Sequence, residues 1–440
     1  MKSQRLRVLL NIAWLIAERF ARIAAGLAVG VVVARHLGPA DYGKISYVQA
    51  IVAVLAIVAG MGLEPILMKE LVAGKHPPHT TYSTALGIAA FSSIIATVIG
   101  LLYAYLFVDD QSLRPLFFIA FSSLPIQTAA IISVPLQAQE KFSLLVRYQL
   151  IQIGISVALR VLLVWLDVSL AWFMFAFTAD ATVWLLLLLK LRYGHETRFH
   201  PRHISFDIAT RLTAAAAPLF ATNLVVLLQI RIDQMLLGTL GTAAAVGNFS
   251  VASKLAEGLM MGPSIVVRAL NPQLLQAKAK SDEEFRACLR RQFDLSVLIA
   301  ILIALIVSVA SGLLVRLLFG VQYGSAAAPL AILAWVIVPM TMGAVNANAV
   351  IAEGQTTQTL VKATIGLGLN ASLNYVLIPY WGGTGSAVAT LTSHVCSAYL
   401  SMLIFSEQRY QFAYASKALI LPMTLYQYRH DIMAVVRRPK

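Results

Sequence analysis

The chain has 440 residues, 59% hydrophobic and only 12% charged, with a mean hydropathy of +0.77. Soluble domains carry about 25% charged residues, so this composition excludes a soluble globular protein, and lipid must form part of the solvent. The net charge of +14 comes from 34 basic and 20 acidic residues. Anionic headgroups account for it without nucleic acid, because most of the basic residues flank apolar stretches.

Those stretches are about 20 residues long and recur about twelve times. The first six cover 9–33, 45–68, 83–108, 115–136, 144–166 and 169–189. The second six cover 212–240, 246–270, 293–318, 326–352, 360–380 and 385–405. A helix needs ~20 apolar residues to cross a ~30 Å hydrocarbon core. No water is available there, so the backbone must satisfy itself. The pattern predicts an all-α polytopic membrane protein with about twelve transmembrane helices. The basic opening MKSQRLR is no cleavable signal, because the run after it is too long and carries charges.

In chain order, the first span holds Glu18, Arg19 and Arg22; its Gly26 and Gly30 have the spacing that permits close helix approach, though among 26 glycines chance is the better explanation. Glu18 and Arg22 are one helical turn apart and can pair. The second span holds Glu64, the fifth Arg160 and the sixth Asp180. The seventh holds Arg231 and Asp233, the eighth Lys254 and Glu257, and the last His394. Pro125, Pro135, Pro218, Pro263, Pro329 and Pro339 interrupt spans, where they free carbonyls and kink helices. Trp165, Trp172 and Trp381 fall near predicted outer ends, as an aromatic belt would.

Charges inside spans are costly, and they face a cavity or a partner. Arg19, Arg22, Arg231 and Lys254 are the candidate cations of a polar, partly cationic central cavity for an anionic headgroup, since arginine suits bidentate phosphate contacts. The competing reading is that they pair and lock helices together. Glu64, Asp180, Asp233 and Glu257 are candidates for ion coupling, with structural pairing again the alternative. For His394 a buried, hydrogen-bonded role is expected over proton carriage.

With the N-terminus in the cytoplasm, twenty-five of the basic residues fall on the cytoplasmic side and four (Arg35, Lys44, Arg114 and Arg316) on the other. The bias predicts that both termini are cytoplasmic. The sequence divides into 1–190, a six-helix bundle; 191–211, a cytoplasmic linker; 212–406, a second six-helix bundle; and 407–440, a basic tail. Leu37-Gly38 followed by Gly43-Lys-Ile-Ser46 matches Leu240-Gly241 followed by Gly247-Asn-Phe-Ser250. An even helix count per half makes that a parallel repeat.

Motifs for chemistry are missing. There is no Gly-x4-Gly-Lys-Ser/Thr run, no zinc-spaced Cys/His cluster and no Gly-x-Ser-x-Gly elbow. No catalytic residue, cofactor or metal is expected, and the chain reads as a transporter rather than an enzyme. Cys288, in a predicted cytoplasmic loop, and Cys396, in a predicted helix, are not expected to pair.

Asn11-Ile-Ala-Trp14, Val33-Ala-Arg35-His-Leu-Gly38-Pro-Ala-Asp41-Tyr-Gly43 and Gly60-Met-Gly62-Leu-Glu64 resemble the bacterial polysaccharide flippases. So do Arg231-Ile-Asp233-Gln-Met-Leu-Leu-Gly238 and Val246-Gly247-Asn-Phe-Ser250-Val-Ala252. These are the O-antigen and exopolysaccharide translocases of the multidrug/oligosaccharidyl-lipid/polysaccharide exporter superfamily. The resemblance implies two six-helix bundles facing each other in a V around a cationic lumen. It also implies an undecaprenyl-pyrophosphate-linked oligosaccharide flipped across the bacterial cytoplasmic membrane by alternating access. Lumen roles carry over to Arg19, Arg22, Arg231 and Lys254. Membrane lipids, the polysaccharide polymerase and the chain-length machinery are the implied partners. Lipid II flippases usually have two further helices, and 418–425, broken by Pro422, is too short for one. The alternatives are an ion-coupled multidrug exporter of the same superfamily, a membrane glycosyltransferase or polymerase, and an assembly scaffold.

Overall fold

A computed structural model describes residues 2–74, 76–108, 110–191, 199–354 and 357–420, without the side chains of 2–13, 15–17, 129, 357 and 359. Residues 192–198 of the expected linker and 421–440 of the expected tail lie outside the described residues. Among the described residues every regular element is a helix.

The first, α1 (Lys2–Gly60), has 59 residues. Unbroken, it would run about 88 Å, nearly three times the hydrocarbon thickness. It divides instead at Gly38, whose φ of 74° belongs to the left-handed region. Pro39 follows and has no N–H to continue the ladder. The same device recurs in α14 (Thr357–His394), which divides at Gly382 (φ 52°, ψ −130°) just after Pro379. These breaks explain how the twelve predicted spans appear in fewer elements. Nine helical stretches among the described residues are long and apolar enough to cross a membrane. The first and the last of these each contain one of the two breaks, and the 17-residue α10 (Ala243–Leu259), continued by α11 (Met261–Lys280), adds a further helical stretch.

The other elements of the first half are α2 (Leu63–Ala73), α3 (Pro78–Phe107), α7 (Phe142–Trp165) and α8 (Leu170–Lys190). Between α3 and α7 the pass 114–138 is broken into α4 (Arg114–Phe121), α5 (Ser123–Gln127), a 3-10 stretch and α6 (Val134–Ala138). Pro125 and Pro135 sit in its pieces, as a kinked span requires. The remaining long elements are α9 (Phe206–Leu240), most of which belongs to the first compact unit, and α12 (Asp282–Phe319), α13 (Ala327–Ala352) and α15 (Arg409–Ala418).

The chain forms two compact units, Met1–Met235 and Leu236–Lys440. In the first, helices approach closely through small residues. A Cβ on Gly100 of α3 would come within 2.9 Å of Leu55 of α1 and Phe121 of α4. A second packed group joins Leu63 and Leu67 of α2 to Tyr82, Ala85 and Ala89 of α3 and to Leu212 and Ala216 of α9.

In the second unit the core runs through α11, α12, α13 and α15. Phe285, Leu289, Phe293 and Val297 meet Ile337, Met342 and Val345, with Ala415 and Ala418 closing the group. Two predictions change here. The 38-residue α12 starts ahead of the predicted span, capped by Ser281 Oγ accepting the Glu284 N–H at 3.1 Å. Cys288 therefore lies in a helix, not a loop, and is a free thiol, as is Cys396. Residues 409–418 of the expected tail form a helix whose inner face is core. Alternation of Gln411, Ala415 and Ala418 with exposed Arg409, Ala413 and Lys417 makes that face.

Candidate functional site

The charged residues of the spans fall into three kinds: paired, placed in the first turn of a helix, and exposed. In α1, Arg22 Nε donates to Glu18 Oε1 at 2.6 Å, one turn away. The Glu18 side chain is 12% exposed, against 47% for Arg22, and Arg19 is exposed. The pair thus buries and neutralises the acid while leaving two guanidinium groups presented on the helix. Arg22 lies 16 residues before the Gly38 break, about 24 Å along the helix. Eight residues before Arg22 on the same helix, Trp14 holds the Arg147 guanidinium of α7 over its ring at 5.7 Å.

Glu64 has a different setting. Between α1 and α2 the helix is broken by Met61 (φ 47°) and Gly62 (φ 65°). Ser92 Oγ on α3 donates to the freed Ala59 carbonyl at 2.6 Å. Any side chain at Gly62 would meet the Phe220 backbone of α9 at 3.3 Å. Glu64 stands in the first turn of α2, where the helix dipole favours an acid.

Asp180 of α8 takes a bidentate contact from Arg160 of α7, at 3.1 and 2.5 Å. Arg160 also donates to the Ser156 hydroxyl and carbonyl. The pair ties α7 to α8 and neutralises both charges, which is the helix-locking alternative in concrete form.

In α9, Arg231 and Asp233 are two residues apart and so point to different sides of the helix. Arg231 donates to Gln234 Oε1 at 3.4 Å, while Asp233 and Gln234 are buried. In α10, Lys254 is half-buried, and Glu257 is exposed and accepts from Ser253 Oγ at 3.3 Å. Arg19, Arg22, Glu64, Asp180, Arg231 and Asp233 belong to the first unit, and Lys254 and Glu257 to the second. His394 Nδ1 lies 2.9 Å from the Thr390 carbonyl, one turn back, as a satisfied structural histidine would.

One polar cluster in the second unit was not predicted. Lys362 of α14 is buried, and its ammonium donates to Asn346 Oδ1 of α13 at 2.7 Å and to Gln408 Oε1. Phe405 offers its ring face at 5.4 Å. Asn346 Nδ2 donates in turn to Gln411 at 2.7 Å and Gln408 at 3.1 Å. Tyr410 donates to Glu353 Oε1 at 2.7 Å, leaving Glu353 Oε2 buried without a hydrogen bond. The Arg286 guanidinium lies 5.2 Å over the Tyr410 ring. Neutral amides thus solvate a buried cation and fasten the start of α15 to α13 and α14. A polar Asn346 in an apolar run was the sequence signal, but its partners lie 16, 62 and 65 residues away. Among the described residues no cluster of three or more His, Cys, Asp or Glu is arranged to hold a metal.

Comparison with known proteins gives this arrangement a context. No curated protein matches the chain. The fold is similar to that of "Lipid II flippase MurJ, inward closed conformation", with a TM-score of 0.72 at 16% identity over 94% of this chain and 92% of that one. It is similar also to an inward-facing multidrug resistance MATE family transporter of the MOP superfamily (0.70, 13% identity, 88% and 95%). The Vibrio cholerae MATE transporter VcmN in its bent form is a third (0.55, 15% identity, 93% and 99%). At such identities these likenesses establish the fold alone. The sequence profile described as "Polysaccharide biosynthesis protein" matches residues 32–328, well over half of the chain. This multi-pass membrane protein belongs to the polysaccharide biosynthesis protein family.

Proposed function

We propose that the protein flips an undecaprenyl-pyrophosphate-linked oligosaccharide from the inner to the outer leaflet of the bacterial cytoplasmic membrane. The product feeds O-antigen or another surface polysaccharide, and both chain termini lie in the cytoplasm. One observation carries the reading: α1, an otherwise apolar span in a chain of the polysaccharide family, presents the guanidinium groups of Arg19 and Arg22. Cations left exposed in a span serve a charged ligand or a water-filled path, because lipid would not tolerate them. A pyrophosphate is a fitting ligand for paired guanidinium groups, and a polyprenyl tail can remain in lipid.

Arg231 and Lys254 are the further cations assigned to the headgroup path. Of the acids, Asp233 and Glu257 stay candidates for ion coupling. Glu64 and Asp180 have structural explanations at hand, a helix N-terminus and an arginine partner. Alternating access needs helices that bend, and the interruptions at Gly38, Met61–Gly62 and Gly382 supply bending points. Fold likeness to MATE transporters raises drug export as the competing reading.

Proteoliposomes holding the lipid-linked sugar separate the two. The proposal expects faster transfer of the sugar to the opposite face, without cation-drug efflux. Drug efflux with no sugar transfer would replace it with the exporter reading.

A further inference from the structure

Two arginines of α7 are held in opposite ways. Arg160 spends its N–H edge on the Asp180 carboxylate. Arg147, nearer the start of the helix, is exposed, and its guanidinium lies over the ring of the half-buried Trp14 of α1. A carboxylate takes up the in-plane donors of a guanidinium. An aromatic face attracts the cation without accepting those bonds, so the fork of donors stays available to a planar oxyanion.

Trp14 also fixes where that fork stands. A second contact between the same two stretches, His36 Nε2 to Asp167 Oδ1 at 3.4 Å, lies at their far ends. The chain from Trp14 to His36 and the chain from Arg147 to Asp167 are nearly equal in length. The two helices therefore run side by side in the same direction, and heights on one translate to the other. Arg22 stands eight residues beyond Trp14, about 12 Å further along and about 80° round the helix. Glu18, one turn beyond Trp14, is buried and accepts from Arg22. On α7, Gly154 is seven residues beyond Arg147, hence on the same face and close to the height of Arg22. It is exposed, and a Cβ there would meet nothing within 4 Å. A bulky group moving from Arg147 towards Arg22 thus meets backbone at that point of α7 rather than a side chain.

We propose that Trp14 and Arg147 form a capture station for a phosphorylated lipid headgroup, met before Arg22 and Arg19 on the way into the membrane. The station rests on the headgroup path put forward above, whose topology places the starts of α1 and α7 in the cytoplasm. Arg147 is the binding group and offers its N–H fork to phosphate oxygens. Trp14 is the positioning residue. It holds a long side chain in one place, so less freedom is lost when the headgroup arrives. Such a pair acts on capture rather than on passage, because its contacts are made before the crossing step.

Radiolabelled farnesyl pyrophosphate, a short polyprenyl pyrophosphate, tests this with the full chain in phosphatidylcholine nanodiscs. Arg147→Ala is expected to weaken binding about tenfold, the worth of one charge-assisted contact. Trp14→Ala keeps the cation but removes its platform, and is expected to weaken binding about threefold, with Trp14→Phe recovering most of that. Arg147→Lys keeps the charge without the fork and is expected to recover only part of the tenfold loss. In proteoliposomes holding the lipid-linked sugar, Arg147→Ala is expected to raise the half-saturating concentration about tenfold and leave the maximal rate unchanged, a split that a merely structural role would not produce. Undiminished binding by Arg147→Ala, with binding lost in Arg19→Ala with Arg22→Ala, would overturn the station and leave the cationic path standing. A wild type that binds no farnesyl pyrophosphate would overturn both. If Arg147→Ala instead releases radiolabelled phosphatidylglycerol while holding farnesyl pyrophosphate as before, the pair serves the bulk lipid and the station is likewise overturned.

Discussion

Removing Lys362 and removing its ligand are not equivalent changes. Without Asn346, the buried ammonium keeps only Gln408 and the Phe405 ring, and an under-solvated buried charge is expensive. Asn346→Ala is expected to cost about 3 kcal/mol of stability, whereas Lys362→Met, which removes the charge and keeps the volume, costs about 1 kcal/mol. Thermal unfolding of the two variants side by side checks the order, and the reverse order would mean that the lysine itself carries the cluster. Tyr410 adds a pH dependence. Burial, and then its bond to the Glu353 carboxylate, hold its phenol above the ordinary range. A raised pKa in the docked state gives stability that is complete below the ordinary value of about 10 and is lost as pH rises beyond it. Thermal stability is therefore expected to fall above about pH 10 in the wild type, and Tyr410→Phe to remove that share of the fall. At this scale little was legible in the sequence. Glu18 with Arg22 could be read from one helical turn, but Arg160 with Asp180 spans 20 residues and two helices.

Among the elements, helix interruptions matter more than helix lengths. The turn at Met61–Gly62 needs a left-handed glycine and close approach to Phe220 at once. Gly62→Ala is expected to destabilise by about 2 kcal/mol or more, combining backbone strain with the forced shift of α9. Gly60→Ala, two residues earlier in helical backbone with open space at its Cβ, is the control and is expected to be neutral or stabilising. Urea unfolding of both measures the difference, and equal effects would remove the special role of this break. The span pattern was legible because each pass needs its own ~20 apolar residues. Invisible was the docking of α15, since Arg409, Tyr410 and Lys417 give it a polar composition. Its buried stripe of Gln411, Ala415 and Ala418 is only three residues wide.

On the scale of the whole molecule, the chain commits most of its polar groups to holding helices together and leaves a few cations exposed. Arg160–Asp180 and the Lys362 cluster are of the first kind; Arg19 is of the second, and Arg22, paired with Glu18 yet 47% exposed, belongs to both. That division could not be drawn from the sequence, where all these residues look alike as charges in apolar runs. The family and the all-α, multi-pass architecture were both legible there, and short motifs such as Ala34-Arg-His-Leu-Gly-Pro-Ala-Asp-Tyr-Gly43 mark a break between two helical stretches. The central claim is that the exposed guanidinium groups of α1 handle a phosphorylated headgroup as it crosses the membrane. The direct test is the rate at which an undecaprenyl-pyrophosphate oligosaccharide in proteoliposomes reaches the opposite face, for the wild type and for Arg19→Ala with Arg22→Ala. The wild type is expected to accelerate transfer and the variant to lose about a hundredfold, the worth of two charge-assisted contacts. Full-rate transfer by a correctly folded variant would contradict it.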